Sequence, residues 1–161
     1  MEVEMKIRGL MMDPVTNMPI VILKDATSSD VLPIWVGIYE ANAIALEIEK
    51  VSTPRPMTHD LIKTLLTGLD AGIRKVVVSE LKEDTFYALI YLLLNGDTVA
   101  IDARPSDAIA LALRTRAPIY VEETVIDNAK TADIVPEKGD QERLQKWLES
   151  LDPEEMGKYK M

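Results

Sequence analysis

Apolar residues along the chain form seven strand-like runs, and short turn sequences separate several of them. The predicted strands cover residues 3–12, 19–24, 31–36, 73–81, 85–94, 98–103 and 117–121. Asn95-Gly96 lies between two of these runs and is typical of a tight hairpin, because both residues tolerate the positive φ of a type I′ turn. Closely spaced strands of this kind predict a sheet that is built largely of antiparallel hairpins.

Helical spacing of apolar residues marks other parts of the chain. The first predicted helix begins after Gly37 and has its apolar positions at i, i+3, i+4 and i+7, namely Ala41, Ile44, Ala45 and Ile48. A second helix is predicted from a Thr58 cap to a stop at Gly72, with four core-facing residues, Ile62, Leu65, Leu66 and Leu69. A third begins at Pro105, and a short fourth covers residues 122–129. Together these elements predict an α+β fold with a mixed, largely antiparallel sheet covered by helices.

The last part of the chain has a different pattern. Residues 134–140 are typical of a linker, and residues 141–151 carry an apolar stripe formed by Leu144, Trp147, Leu148 and Leu151. We therefore expect one domain over residues 1–136, followed by a linker and a C-terminal amphipathic helix over residues 137–161.

Composition limits the classes of site that the chain can build. The 161 residues include no cysteine, which excludes disulfides, thiolate zinc sites and cysteine nucleophiles. No apolar run approaches the roughly 18 residues of a membrane-spanning helix, and the start lacks a signal-peptide pattern, so we expect a cytoplasmic protein that avoids membranes. Eighteen basic and 27 acidic residues give a net charge of −9, which disfavours a broad nucleic-acid surface.

Charged side chains cluster where the sixth strand meets the third helix. Asp102 ends the strand, Arg104 follows, and Asp107 lies in the first helical turn after Pro105. One interpretation is structural, with Ser106 or Asp107 as the helix cap and Arg104 as the ion-pair partner of Asp107. The other is that the carboxylates form part of a site. On either interpretation we expect Asp102, Arg104 and Asp107 to lie close together, and on the second they line a concave surface.

His59 is the only histidine, and it lies beside Asp60 in the first turn of the second helix. The positive end of the helix dipole favours a neutral imidazole, which can act as a general base or bind a metal ion. The alternative is a partly exposed helix residue without a chemical role. We interpret Glu40 and Glu47 as members of a solvated acidic face rather than as ligands.

Four stretches in order along the chain resemble the bifunctional nuclease domain family. They are residues 32–37 (LPIWVG), 40–45 (EANAIA), 55–61 (RPMTHDL) and 102–114 (DARPSDAIALALR). The resemblance extends from about residue 1 to about residue 128. Members of the family are described as cleaving both DNA and RNA, so the resemblance implies a nuclease.

The resemblance and the chemistry of phosphodiester hydrolysis together suggest roles for the charged residues. Asp102 and Asp107 would hold Mg²⁺ or Mn²⁺, with Asp60 nearby. The candidate catalytic residues are His59, Asp60 and Arg104. Arg104 would stabilise charge on the phosphate, and His59 would transfer the proton, which requires His59 to approach the Asp102–Asp107 junction in space.

A second hypothesis is a non-catalytic interaction or regulatory module that assembles as a homo-oligomer. The negative net charge and the large share of apolar residues, 47%, favour this hypothesis. We expect a dimer on either hypothesis, because monomers rarely expose large apolar surfaces to solvent. The apolar segments that would have to be buried are residues 86–94, residues 109–113 and the Trp147 stripe.

Overall fold

The computed structural model describes residues 1–131, and it confirms the predicted α+β fold. The seven strands are β1 (Glu2–Met12), β2 (Pro19–Asp25), β3 (Val31–Trp35), β4 (Gly72–Lys82), β5 (Thr85–Leu94), β6 (Asp97–Ala103) and β7 (Ile119–Glu122). The helices are α1 (Ile38–Ile48), α2 (Thr58–Gly68), α3 (Pro105–Thr115) and α4 (Glu123–Thr131). The end of the predicted domain at residue 136, the linker and the C-terminal helix lie outside the described residues.

The strands form one mixed sheet with the order β3-β2-β1-β7-β4-β5-β6. The consecutive pairs within β1–β3 and β4–β6 are antiparallel, as expected from short turns. Asn95 and Gly96 have φ values of 52° and 82°, as the predicted turn requires. The short strand β7 joins the two halves, because it pairs antiparallel with β1 and parallel with β4.

The hydrophobic core lies between one face of the sheet and the helices. Strand residues on this face alternate with residues on the other face: Val76 and Val78 belong to the main core cluster, whereas Val77 between them does not. Helix α3 packs against β4 and β5 and also contacts α1 and α2. It is the central helix of this layer, which explains why its residues are apolar nearly all round.

Helix α2 differs from its prediction. It ends at Gly68 rather than near Gly72, and Leu65 and Leu69 are 56% and 69% exposed instead of facing the core. Helix α2 packs on α3, and Ile62 is the α2 side chain that reaches the main core. A row of exposed apolar side chains at intervals of four residues therefore remains, which we call the α2 stripe: Met57, Leu61, Leu65 and Leu69.

Over residues 1–131, no helix is long and apolar enough to cross a membrane.

Candidate functional site

The start of α3 is fixed by local sequence. Arg104 is the N-cap residue in an extended conformation, and Pro105 occupies the first helical turn, where a missing N–H costs nothing. No side chain caps this helix. The predicted capping by Ser106 or Asp107 is therefore wrong, and both carboxylate oxygens of Asp107 contact other side chains.

The start of α2 lies beside the start of α3. The Asp60 carboxylate accepts a hydrogen bond from the backbone N–H of Met57 at 3.0 Å, which closes the first turn of α2. His59, the preceding residue, is buried and points toward α3.

His59 and Asp107 form a direct pair, although 48 residues separate them in sequence. His59 Nε2 lies 2.8 Å from Asp107 Oδ1. This contact confirms the expected approach of His59 to the α3 junction. An ionised carboxylate only accepts hydrogen bonds. His59 Nε2 therefore carries a hydrogen atom and donates a hydrogen bond to Asp107. The lone pair of a neutral imidazole is then on Nδ1.

His59 Nδ1 is the ring nitrogen that is not paired with Asp107, and the His59 side chain is 11% exposed. Nδ1 has no hydrogen-bond partner among the described residues, and within that part of the chain no fully buried side-chain nitrogen or oxygen lacks a partner. Nδ1 can therefore meet a water molecule or a ligand.

Arg104 connects Asp107 to α1. Its Nε donates a hydrogen bond to Asp107 Oδ2 at 2.9 Å, and its Nη2 forms ion pairs with the same oxygen at 2.8 Å and with Glu40 Oε1 at 2.7 Å. The hydrogen bond that the guanidinium donates to Asp107 and the negative charge of Asp107, followed by the hydrogen bond to Glu40, raise the pKa of the Arg104 guanidinium. The predicted Arg104–Asp107 ion pair is thus confirmed, and Arg104 remains cationic.

Glu40 belongs to this site, and its interpretation as a solvated residue is wrong. Its side chain is only 16% exposed. The signal in the sequence is Gly37, because a Cβ added there would collide with the Glu40 carboxylate. A glycine before the helix thus leaves room for the carboxylate to approach the backbone.

Arg114 is a second residue of this region that was not predicted from the sequence to belong to the site. Its Nε donates to Asp60 Oδ1 at 2.8 Å, and its two Nη atoms donate to the carbonyl oxygens of Ala110 and Ala43, both at 2.9 Å. The side chain is 3% exposed. Arg114 therefore ties α1, α2 and α3 together at the base of the site. Its spacing of seven residues from Asp107 places both on one helix face and was the available signal.

Asp60 stabilises the first turn of α2, which carries His59. The Met57 N–H and, next, the Arg114 guanidinium lower the pKa of the Asp60 carboxyl. Asp60 is thus an anion that holds the first turn of α2 rather than a ligand facing the cleft.

Asp102 is placed differently from the other predicted residues. It is exposed, and no hydrogen bond or ion pair of its side chain occurs within residues 1–131. It pairs with Leu89, whereas Ala103 pairs with the buried Ala88, so Asp102 lies on the sheet face that points away from α3. The expected contact with Arg104 and Asp107 is absent from the described contacts, although Asp102 does border the same cleft.

The cleft has a volume of about 590 Å³. Its lining includes Tyr39, Glu40, His59, Asp102, Arg104 and Asp107. The predicted concave site is therefore present, and it joins the beginnings of all three central helices.

The donor groups of this cleft do not form a ready metal site. Among the described residues, no group of three or more His, Asp or Glu side chains is arranged to hold a metal ion. Both oxygens of Asp107 already accept hydrogen bonds. Mg²⁺ is often held by only one or two carboxylates and phosphate oxygens of the substrate. The metal role of Asp102 and Asp107 stays a prediction.

A comparison with protein families supports the resemblance in the sequence. A profile of the bifunctional nuclease domain matches residues 21–133, which contain every residue of the site described above. The chain belongs to the bifunctional nuclease domain family. A Mycobacterium tuberculosis protein described as uncharacterized is 37% identical over 163 aligned positions, which cover 94% of this chain and 96% of that protein.

Plant relatives carry the nuclease name. Bifunctional nuclease 1 of Oryza sativa subsp. japonica is 30% identical over 67% of this chain and 34% of its own length. Bifunctional nuclease 2 of Arabidopsis thaliana is 29% identical over 65% of this chain and 35% of its own length. The chain therefore spans about a third of these plant proteins.

Replacing Arg104 by glutamine is expected to change the free energy of unfolding by less than about 1 kcal/mol, because exposed ion pairs contribute little. The Arg104 side chain is 65% exposed. Urea unfolding of Arg104→Gln beside Arg55→Gln, a change at an exposed loop residue, measures the difference. A loss of several kcal/mol in Arg104→Gln alone would show that Arg104 is mainly a structural link.

Proposed function

We propose that this protein is a nuclease that hydrolyses phosphodiester bonds of DNA and RNA in the cleft between α1, α2 and α3, in the cytoplasm. The observation that carries the proposal is the continuous chain of contacts His59–Asp107–Arg104–Glu40, which joins a base to a fixed cation. Membership of the family supports the same activity class.

His59 is the general base in this proposal. Asp107 holds the Nε2–H side of the imidazole, which fixes the ring and leaves Nδ1 available to the substrate in the cleft that His59 lines. Nδ1 takes a proton from water, or from the 2′-hydroxyl of RNA, as the oxygen forms a bond to phosphorus. The P–O bond to the leaving group breaks, and the leaving oxygen takes up a proton from solvent. Asp107 stabilises the imidazolium that forms.

Arg104 stabilises the negative charge that develops on the phosphate. Its Nε and Nη2 contact carboxylates, while Nη1 makes no hydrogen bond within residues 1–131. Nη1 can therefore donate to a phosphate oxygen in a position that Glu40 and Asp107 have fixed beforehand.

The charge of the cleft indicates how a substrate is bound. Glu40, Asp102 and Asp107 are three anions beside one cation, Arg104. Because this balance repels a polyanion, we infer that Mg²⁺ or Mn²⁺ accompanies the phosphate, with Asp102 and Asp107 as its protein ligands. When bound, such an ion supplies positive charge that the side chains lack.

Incubation of purified protein with labelled single-stranded DNA and RNA tests the proposal. We expect both to be cleaved in Mg²⁺ or Mn²⁺, and we expect cleavage to fall at least roughly 10-fold in excess EDTA because a charge-neutralising ion is removed. Absence of cleavage of either polymer would overturn the proposed activity. Undiminished cleavage in EDTA would overturn the metal role alone.

The α2 stripe is the observation that favours the alternative, a non-catalytic interaction or regulatory module. Four exposed apolar side chains on one helix are typical of a contact surface rather than of a solvated one. This alternative becomes the better account if Asp107→Asn and wild-type protein leave both polymers intact.

A further inference from the structure

Strand β6 is an edge strand whose only protecting charges are the two aspartates, Asp97 at its start and Asp102 next to its end. It pairs with β5 over all seven residues without a bulge, and its other edge pairs with no strand of residues 1–131. Proline and lysine, the residues that commonly block edge pairing, are absent from its sequence DTVAIDA. The opposite edge strand, β3, is shorter and contains Pro33. The two edges of the sheet therefore differ in their readiness to accept another strand.

The surface around β6 is apolar on the side that carries the helices. Val99 and Ile101 lie on this face, since they pair with Leu92 and Ile90, and they are 38% and 41% exposed. The α2 stripe lies on the same side of the sheet. Its first residue, Met57, lines the cleft together with Ala103 at the end of β6. The free edge thus borders additional exposed apolar surface.

We propose that β6 pairs antiparallel with β6 of a second copy of this chain across a two-fold axis. The sequence of the strand is self-complementary in one register, the one centred on Ala100. In that register Val99 lies opposite Ile101 of the second copy, and Asp102 lies opposite Thr98. The first pair is apolar and β-branched on both sides, and in the second a hydroxyl donates to a carboxylate.

Other registers are less favourable. The symmetric register centred on Asp102 places two like charges directly opposite each other, and so does the one centred on Asp97. Registers centred on Val99 or Ile101 leave part of the strand without a partner. The register centred on Ala100 pairs all seven residues and opposes no like charges.

The pairing also accounts for the α2 stripe. Stable protein interfaces bury roughly 1,200–2,000 Å² in total, which is more than two short strands bury by themselves. A closed two-fold contact repeats the same surface from both copies, so the stripe of each copy adds apolar area. The pairing does not depend on catalysis, because only the strand edge and exposed side chains take part.

Charge substitutions on the full-length chain test the pairing and its register. In the double variant V99K/I101K, two lysines face two lysines across the axis, and we expect the dissociation constant of the dimer to rise at least roughly 100-fold. In V99K/I101E, each introduced lysine faces an introduced glutamate of the other copy, so we expect the dimer to be restored. Both sites are partly exposed, and far-UV circular dichroism checks that the variants fold.

Sedimentation velocity at micromolar concentration gives the readout, and Leu93→Lys is the matched control. Leu93 is 45% exposed on the other face of the sheet, away from the edge. We expect wild type, Leu93→Lys and V99K/I101E to be dimers and V99K/I101K to be a monomer. A monomeric wild type, a folded but monomeric V99K/I101E, or dissociation by Leu93→Lys alone would each overturn the proposal.

Amide hydrogen exchange provides a second measurement that needs no substitution. Main-chain pairing protects those amides of residues 97–103 that point to the free edge. We expect their exchange to slow as wild-type protein is concentrated. Exchange that is independent of concentration in a dimer would place the interface elsewhere and overturn the pairing.

Discussion

Asp107→Asn is expected to lower the rate of DNA and RNA cleavage by roughly 10³–10⁴-fold, the scale seen when the carboxylate of an Asp–His pair becomes an amide. The physical reason lies in the three donors around Asp107. Arg104 presents two N–H groups to Oδ2, and His59 presents one to Oδ1. An asparagine must turn its oxygen toward Arg104, so its NH₂ group faces the imidazole.

The imidazole must then change its tautomer. His59 Nε2 would accept from the new amide, so the ring proton would move to Nδ1. Nδ1 is the nitrogen that has no partner among the described residues, and once protonated it cannot act as a base. The variant therefore removes the base while it preserves the volume and the hydrogen bonds of the site. Steady-state cleavage of a labelled oligonucleotide, with thermal unfolding as a check on folding, measures the effect.

Asp102→Asn distinguishes a nuclease in which Asp102 binds the metal ion from one in which Asp102 has no catalytic role. Asp102 makes no hydrogen bond or ion pair with His59, Arg104 or Asp107 among the described residues, so a large loss of cleavage from this substitution in a variant that keeps the wild-type oligomeric state would point to the metal ion. A loss comparable to that of Asp107→Asn would establish the metal role, and activity close to wild type would remove Asp102 from the site. Asp97→Asn, at the start of the same exposed strand, is the control for charge alone. An Asp107→Asn variant with full activity would contradict the His59–Asp107 mechanism.

The elements of the fold could be predicted from sequence because each carries a local signal. Turns such as Asn95-Gly96 and the Pro105 helix start depend on neighbouring residues, and both were predicted correctly. The position of β7 between β1 and β4 could not be predicted, since a four-residue strand has no local feature that selects its neighbours. The exposure of Leu65 could not be predicted either. Periodicity shows that a helix has an apolar face, but it does not show which element packs on that face.

The candidate site was partly predictable for a related reason. His59 is the only histidine, and Arg104 and Asp107 lie on either side of the Pro105 helix start, so these three residues could be identified from the sequence. Glu40 and Arg114 resemble ordinary surface residues of amphipathic helices in the sequence. Their roles arise when three helices converge, which is a tertiary property. Asp102 shows the converse, because closeness in sequence to Arg104 does not place its side chain on the same face of the sheet.

Arg114→Met is expected to lower the free energy of unfolding by about 3 kcal/mol, within the range for loss of one partner of a buried charged network. Methionine fills much of the volume of the arginine stem, but it donates no hydrogen bond. The carbonyl oxygens of Ala43 and Ala110 lose their contacts with the guanidinium, and Asp60 keeps only the Met57 N–H. Because Asp60 is 35% exposed, water replaces part of its lost interaction and keeps the effect moderate.

The dependence of this loss on pH has a definite sign. The pKa of Asp60 is lowered in the folded protein, so its interactions stabilise the fold fully above the pKa of an unfolded aspartate, about 3.9. This contribution disappears as the pH falls through the lower folded pKa. The difference between wild type and Arg114→Met should therefore be constant between about pH 5 and pH 8 and become smaller below about pH 4.

Urea unfolding of Arg114→Met, with Arg74→Met as the matched control, measures the predicted loss. Arg74 is exposed on β4, and its replacement should change the free energy of unfolding by less than about 0.5 kcal/mol. The midpoint of Arg114→Met should fall without a change in slope, since the fold is retained. The same variant should lose cleavage activity because α2, which carries His59, is no longer tied to α1 and α3. Wild-type stability in Arg114→Met would show that the three helices are held together by apolar packing alone, and His59 would then need no support from Arg114.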